Sequence, residues 1–207
     1  MGIGAGPGFF QRHLARSMHP VMVPSDSTKT DLNDPLDQLL LPIQPGDHVE
    51  GSSHARYTLV EYGDYECPAC GSLFLTIRQL HAQFCDEVRL VFRHYPLSGA
   101  HPHAEQAAEA AEAAAAQDRF WEMHDLLFEH QNALRPKDLY KYAEQLGLDS
   151  ARFRSELKER KYEDRVREDF RRGVANGVYG TPGLFINGIR HNGGLDLESI
   201  LDKLKEA

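Results

Sequence analysis

The chain has 207 residues, 41% of them hydrophobic, and a formal charge of −8, enough apolar material for one core, or one core carrying an inserted helical layer. The negative balance excludes nucleic acid as a partner, because a phosphate backbone is bound by clustered cations. No apolar run approaches the roughly 20 residues that cross a bilayer, so a soluble protein with no membrane insertion is expected.

Residues 1–54 carry Pro7, four early glycines, a Ser/Thr/Asp stretch from Ser25 to Asp34, and Pro42, Pro45 and Gly46, with little periodicity; they read as a flexible N-terminal extension. The apolar piece Leu39 to Ile43 is the part suited to docking on the body. Arg12, His13 and Arg16 precede the first acid, Asp26, yet no hydrophobic stretch follows to form a signal-peptide core. A cytoplasmic location is therefore the expectation, with an organellar transit peptide or a start at Met18 or Met22 left open.

Residues 55–207 have the texture of a folded domain. Tyr57 to Tyr62 is a β-branched and aromatic run that reads as a strand ended by Gly63-Asp64. Pro68 suits a first helical turn, and Phe74, Ile77, Leu80 and Phe84 recur at helical spacing. Val88 to Tyr95 is a second strand, closed by Pro96, and strand-helix-strand implies a parallel pair with a right-handed crossover.

A helical insert follows at about 101–177. His101-Pro102 is expected to open its first helix, with a small-residue face from Ala104 to Ala115 and Glu105, Glu109 and Glu112 turned to water. Trp121, Met123, Leu127 and Phe128 read as insert core, and Gly147 and Gly177 as helix stops. The i,i+4 pairs Glu156 with Arg160, Glu163 with Arg167 and Glu168 with Arg172 read as a solvated face. Leu184 to Ile189, a return strand through His191 and a helix from about Leu197 to Lys205 complete the order.

Three cysteines are too few for a disulfide scaffold, and Cys67 and Cys70 form a C-x-x-C pair, which in an intracellular chain points to redox or metal chemistry. Cys67 sits between a strand and a helix start, beside unpaired N–H groups at the positive end of the helix dipole. Cysteines so placed ionise at about 3.5 to 7.5 against about 8.5 when free. Cys70, one turn on, lies on the same face but deeper, where burial keeps it protonated until it resolves a mixed disulfide. Cys85 is the odd thiol, read as packing more readily than as a third redox group.

Glu61-Tyr-Gly-Asp-Tyr-Glu-Cys67-Pro-Ala-Cys70, Val91-Phe-Arg-His-Tyr-Pro-Leu97, Phe120-Trp-Glu-Met-His124 and Gly180-Thr-Pro-Gly-Leu-Phe-Ile-Asn-Gly188 together resemble the DsbA-like family of thiol-disulfide oxidoreductases, within the thioredoxin-like superfamily. The resemblance covers about Arg56 to Ala207. It implies an α/β thioredoxin-like fold with a helical insertion between the second and third strands, and catalysis by Cys67, Cys70 and Glu61, the last a buried acid beneath the resolving cysteine. It also implies substrate contact at Pro68, Ala69 and a cis-proline loop, Thr181-Pro182. No cofactor and no metal are required, since the cysteine pair carries the electrons; the implied partners are protein thiols or disulfides and an unidentified redox partner. The neutral Pro68-Ala69 dipeptide lacks the His that strongly oxidising members carry between their cysteines. Two rival readings stand beside this one: a metal module built from Cys67, Cys70, His101 and His103, and a glutathione-using transferase or isomerase on a related fold.

Overall fold

The computed structural model describes residues 38–39, 42–84 and 86–206; the expectations for Cys85 and residues 1–37 fall outside that range. Its strands are β1 (His48–Glu50), β2 (Tyr57–Gly63), β3 (Val88–His94), β4 (Gly183–Ile186) and β5 (Ile189–Arg190). Its helices are α1 (Pro68–Phe84), α2 (Ala104–Ala115), α3 (Phe120–Glu129), α4 (Pro136–Gln145), α5 (Ser150–Lys158), α6 (Glu163–Ala175) and α7 (Leu197–Glu206). The sheet runs β1-β3-β2-β4-β5, with β2 and β3 parallel and the other neighbours antiparallel.

Side chains alternate across the sheet. On one face Leu59, Leu90, Leu184 and Ile186 pack with Leu73, Ile77 and Leu80 of α1 and Ile200 and Leu204 of α7. On the other, Val60, Tyr62, Val91 and Phe185 form a cluster that Leu39 and Ile43 join. Glu61 follows Leu59 by two residues, so the same alternation turns its carboxylate toward the α1 side. The insert packs the alanine face of α2, with Met123, Leu127, Phe128 and Phe153, into one cluster with Cys70, Phe74 and Phe92. Gly147 and Gly177 both adopt φ 69°, the left-handed conformation that ends a helix without a Cβ clash.

Several expectations change. The sheet includes β1, so the domain begins before residue 54 and the insert lies between the third and fourth strands. The first helix of the insert starts at Ala104, with His101-Pro102 in the preceding turns. Glu109 and Glu112 are buried rather than solvated. Glu112 Oε1 lies 2.9 Å from His48 Nε2 and 3.0 Å from His94 Nε2, while Glu109 takes two bonds from Arg160; an interior carboxylate is tolerated when so paired. Of the i,i+4 pairs, Glu163 bonds Arg167. Glu156 instead pairs with Arg152 and Lys161, and Arg172 turns inward.

Arg172 and the fully buried Arg93 converge on Asp47, just before β1. Arg93 donates to Asp47 at 2.8 Å and 3.2 Å, to Tyr62 Oη at 2.7 Å and to Pro42 O at 2.9 Å; Arg172 donates to Asp47 at 2.7 Å. Burial pushes the Asp47 carboxyl up, but these guanidinium bonds hold it down at about 2 against an ordinary 3.8. A depressed carboxyl contributes its stability in full above the unfolded pKa and loses it as pH falls through the folded one. Asp47→Asn is therefore expected to lower the denaturant-unfolding free energy at pH 7 by about 3 kcal/mol, because it leaves buried cations unpaired. The gap between variant and wild type should close between pH 4 and pH 2; a gap that persists undiminished refutes the ion-pair account.

Candidate active site

The turn after β2 is built around Asp64, whose side chain is buried. Its Oδ1 accepts from Glu66 N at 2.8 Å and its Oδ2 from Leu97 N at 2.8 Å. Its carbonyl accepts from Cys67 N at 3.1 Å, and its own N–H points at Cys70 Sγ at 3.5 Å. The chain thus leaves the strand in a bonded turn that delivers Cys67 to the start of α1, with Pro68 as first helical residue. Gln131, at the end of the α3 region, clamps the turn from outside by donating to Tyr65 O and Cys67 O, each at 2.9 Å.

Both cysteines are present as free thiols. Cys67 keeps 7% exposure, less than an open helix start implies, because Thr181 O covers its sulfur at 3.4 Å. A bond from the Cys70 thiol is the largest influence on Cys67; with burial opposing, that bond, the Thr181 hydroxyl and the N–H groups of Cys70 and Ala69 bring it down to about 5. Cys70 has no exposure, and burial, the bond it gives Cys67 and the nearby Glu61 charge raise it well above the free thiol. Two sulfurs one turn apart are driven in opposite directions.

Glu61 is 1% exposed. Burial first, then the Cys67 charge, lift its carboxyl to about 8, with a bond from Cys70 pulling the other way; its Oε1 has no partner. The Thr181–Pro182 bond is cis, and Pro68 is exposed while Ala69, Thr181 and Pro182 are half-buried. All seven residues named from the sequence gather round one sulfur pair. Asp64 and Gln131 were not among them, and no local pattern marks either.

The histidines of the rival metal reading face carboxylates: His101 Nδ1 lies 2.8 Å from Asp64 Oδ2, and His103 Nδ1 2.7 Å from Glu66 Oε1. Among the described residues the grouping able to hold a cation is His48, His94 and Glu112, which contains no sulfur. Arg165 Nε stands 3.7 Å from the shared Glu112 oxygen, and His94 Nδ1 is buried without a partner. Coordination through Nε2 would put the ring proton on that unpartnered Nδ1, so the cluster fits imidazole N–H groups donating to a carboxylate better than a metal.

A family model described as thioredoxin matches residues 44–206. The chain is 48% identical over 163 residues to a protein of Salinispora tropica named Na(+)/H(+) antiporter NhaA 3, an alignment covering 78% of this chain and 25% of that protein; it spans about a quarter of the length of the curated relatives it matches. Among solved structures, oxidised BdbD from Bacillus subtilis superposes with a TM-score of 0.71 at 24% identity, over 78% of this chain and 92% of that one. The thiol-disulfide exchange protein alpha-DsbA2 from Wolbachia pipientis gives 0.65 at 23%, over 76% and 85%. At these identities the structural likeness is one of fold. With the family model spanning the sheet, the sulfur pair and the insert alike, the chain belongs to the thioredoxin family.

Proposed function

We propose that this protein is a thiol-disulfide oxidoreductase that exchanges disulfides with protein thiols through Cys67 and Cys70. The observation that carries this reading is the placing of Cys67 at the start of α1, beside the cis Thr181–Pro182 bond, with a fully buried Cys70 one turn on; hydrogen bonding brings Cys67 down to about 5 and burial raises Cys70. The first is an anion at neutral pH and the second a thiol held in reserve. In the reducing direction the Cys67 thiolate attacks a substrate disulfide, forming a mixed disulfide and releasing one substrate thiolate. Cys70 then attacks the Cys67 sulfur, closing the intramolecular disulfide and releasing the second, while its proton passes to Glu61. In the oxidising direction a substrate thiolate attacks Cys67 of the disulfide, Cys70 leaves and Glu61 returns its proton; a second substrate thiolate then attacks the substrate sulfur of the mixed disulfide, closing the substrate disulfide and releasing Cys67 as thiolate. The cysteines carry the electron pair, and a redox partner of unidentified nature resets them.

The acidity of Cys67 favours the dithiol form, and so donation of disulfides to substrates. A thiolate near 5 lies between thioredoxin at about 7 and DsbA at about 3.5, which supports a potential between about −270 and −120 mV. The exposed side chains of Tyr179, two residues before Thr181, and of Leu75, beside the groove lined by Pro68 and Gly71, offer apolar surface to an extended substrate chain.

Cys67→Ser is expected to abolish insulin reduction and thiol oxidation, and Cys70→Ser to accumulate mixed disulfides visible on non-reducing gels; full activity in both variants sinks the reading. Glu61→Gln should slow collapse of the mixed disulfide by about tenfold or more, as loss of a proton acceptor does. The same change should stabilise the dithiol protein. Glu61 has its pKa raised from 4.5 to about 8, so its ionisation costs folding stability as pH climbs through that window. At pH 9 a gain of a few kcal/mol in unfolding free energy is the order expected. A variant that is no more stable and resolves at the wild-type rate removes Glu61 from the proton path.

A further inference from the structure

Asp64 presents a problem that the exchange chemistry does not solve. Its side chain is buried, its carbonyl accepts the Cys67 N–H, and its N–H reaches Cys70. An anionic carboxylate in that place opposes a second anion at Cys67, since like charges in a poorly solvated site disfavour each other. The protein sets one imidazole against it: His101, in the loop between β3 and α2, contacts Asp64 Oδ2 through Nδ1 at 2.8 Å and keeps 20% side-chain exposure. Leu97 N–H donates to the same oxygen, so this loop meets the active-site turn at both a backbone and a side-chain bond. His103, two residues on, meets Glu66 in the same way. The acids of the turn, Asp64 and Glu66, each face one histidine of the loop.

We propose that His101 is a positioning residue that balances the buried Asp64 carboxylate with an imidazolium, and thereby holds Cys67 as thiolate in a motif with no cation between its cysteines. The proposal rests on the redox reading of Cys67 above and adds a charge partner from outside the C-x-x-C motif. Charge on His101 is opposed by partial burial, but the Asp64 bond and charge, then the Cys67 thiolate and Glu66, raise its pKa above the free imidazole. Those three groups are the charges acting on it from the turn, and His103 is taken up by Glu66. Coupling between two titrating groups is reciprocal: if the imidazolium stabilises the thiolate, the thiolate stabilises the imidazolium.

That reciprocity supplies a test in the unmodified protein. The imidazole resonances of His101 in isotope-labelled protein are followed against pH in the dithiol and disulfide forms. In the dithiol form His101 should hold its proton to higher pH by roughly half a unit, about threefold in affinity, as an opposite charge nearby demands; an identical midpoint in both forms overturns the proposal. His101→Gln should raise the pH at which Cys67 becomes reactive to iodoacetamide by a similar amount. Asp64→Asn combined with His101→Gln should return it most of the way, because the anion and its counter-ion leave together. A His101→Gln variant that melts at the wild-type temperature and shows an unmoved Cys67 profile also overturns it. Should His101→Gln not fold, the wild-type titration still decides. Failure of Cys70→Ser to trap substrates would defeat the redox reading itself, whatever His101 does.

Discussion

The proposed exchange depends on an anion at Cys67, and hydrogen-bond donors surround that sulfur in advance. The Cys70 thiol and the N–H groups of Ala69 and Cys70 aim at one atom, and all three belong to the first turn of α1. That turn is fixed from two sides. Asp64 ties it to the strand and to the loop at Leu97, and Gln131 ties it to the insert. Preorganised dipoles of this kind need no rearrangement when the charge appears.

The arrangement stores unfavourable groups close to the sulfurs. Glu61 has an oxygen without a partner in a site with 1% exposure, a feature that lowers stability and is common where a group must change protonation during a reaction. Asp64 is equally enclosed but fully engaged. The two acids therefore differ although they stand three residues apart: Glu61 has an oxygen left unbonded, whereas both Asp64 oxygens are engaged by backbone donors and an imidazole.

The remainder of the fold keeps this cluster in register. The α1 face of the sheet is an aliphatic sandwich with α7, while the opposite face is closed by Arg93 and Arg172 on Asp47. That ion cluster joins the strand entering the sheet edge, the centre of the sheet and α6. The insert caps the far side of the site through Tyr65, whose ring meets Phe92, His124 and Phe128. A shift of the insert would thus be felt at the residue two places before Cys67.

Local order was legible in the chain. Runs of β-branched and aromatic residues placed β2 and β3, helical spacing placed α1, glycines marked two helix ends, and a cysteine pair between strand and helix pointed to redox or metal chemistry, because each of these depends on residues within a turn or a strand of one another. What the chain did not disclose depends on meetings between distant segments. Asp64 and His101 are 37 residues apart, His48 and Glu112 are 64 apart, and Asp47 and Arg172 are 125 apart. A helical Glu has the same neighbours in sequence whether it faces water, as expected for Glu112, or two histidines, as found. Three-residue β1 has no periodicity to read, and only pairing with β3 makes it a strand. The sequence by itself determined the elements that carry their own local pattern and the cysteine pair's place at a helix start; the tertiary structure decided the edge strand β1 and which charges are paired around the sulfurs, since burial and distance are properties of the packed chain alone.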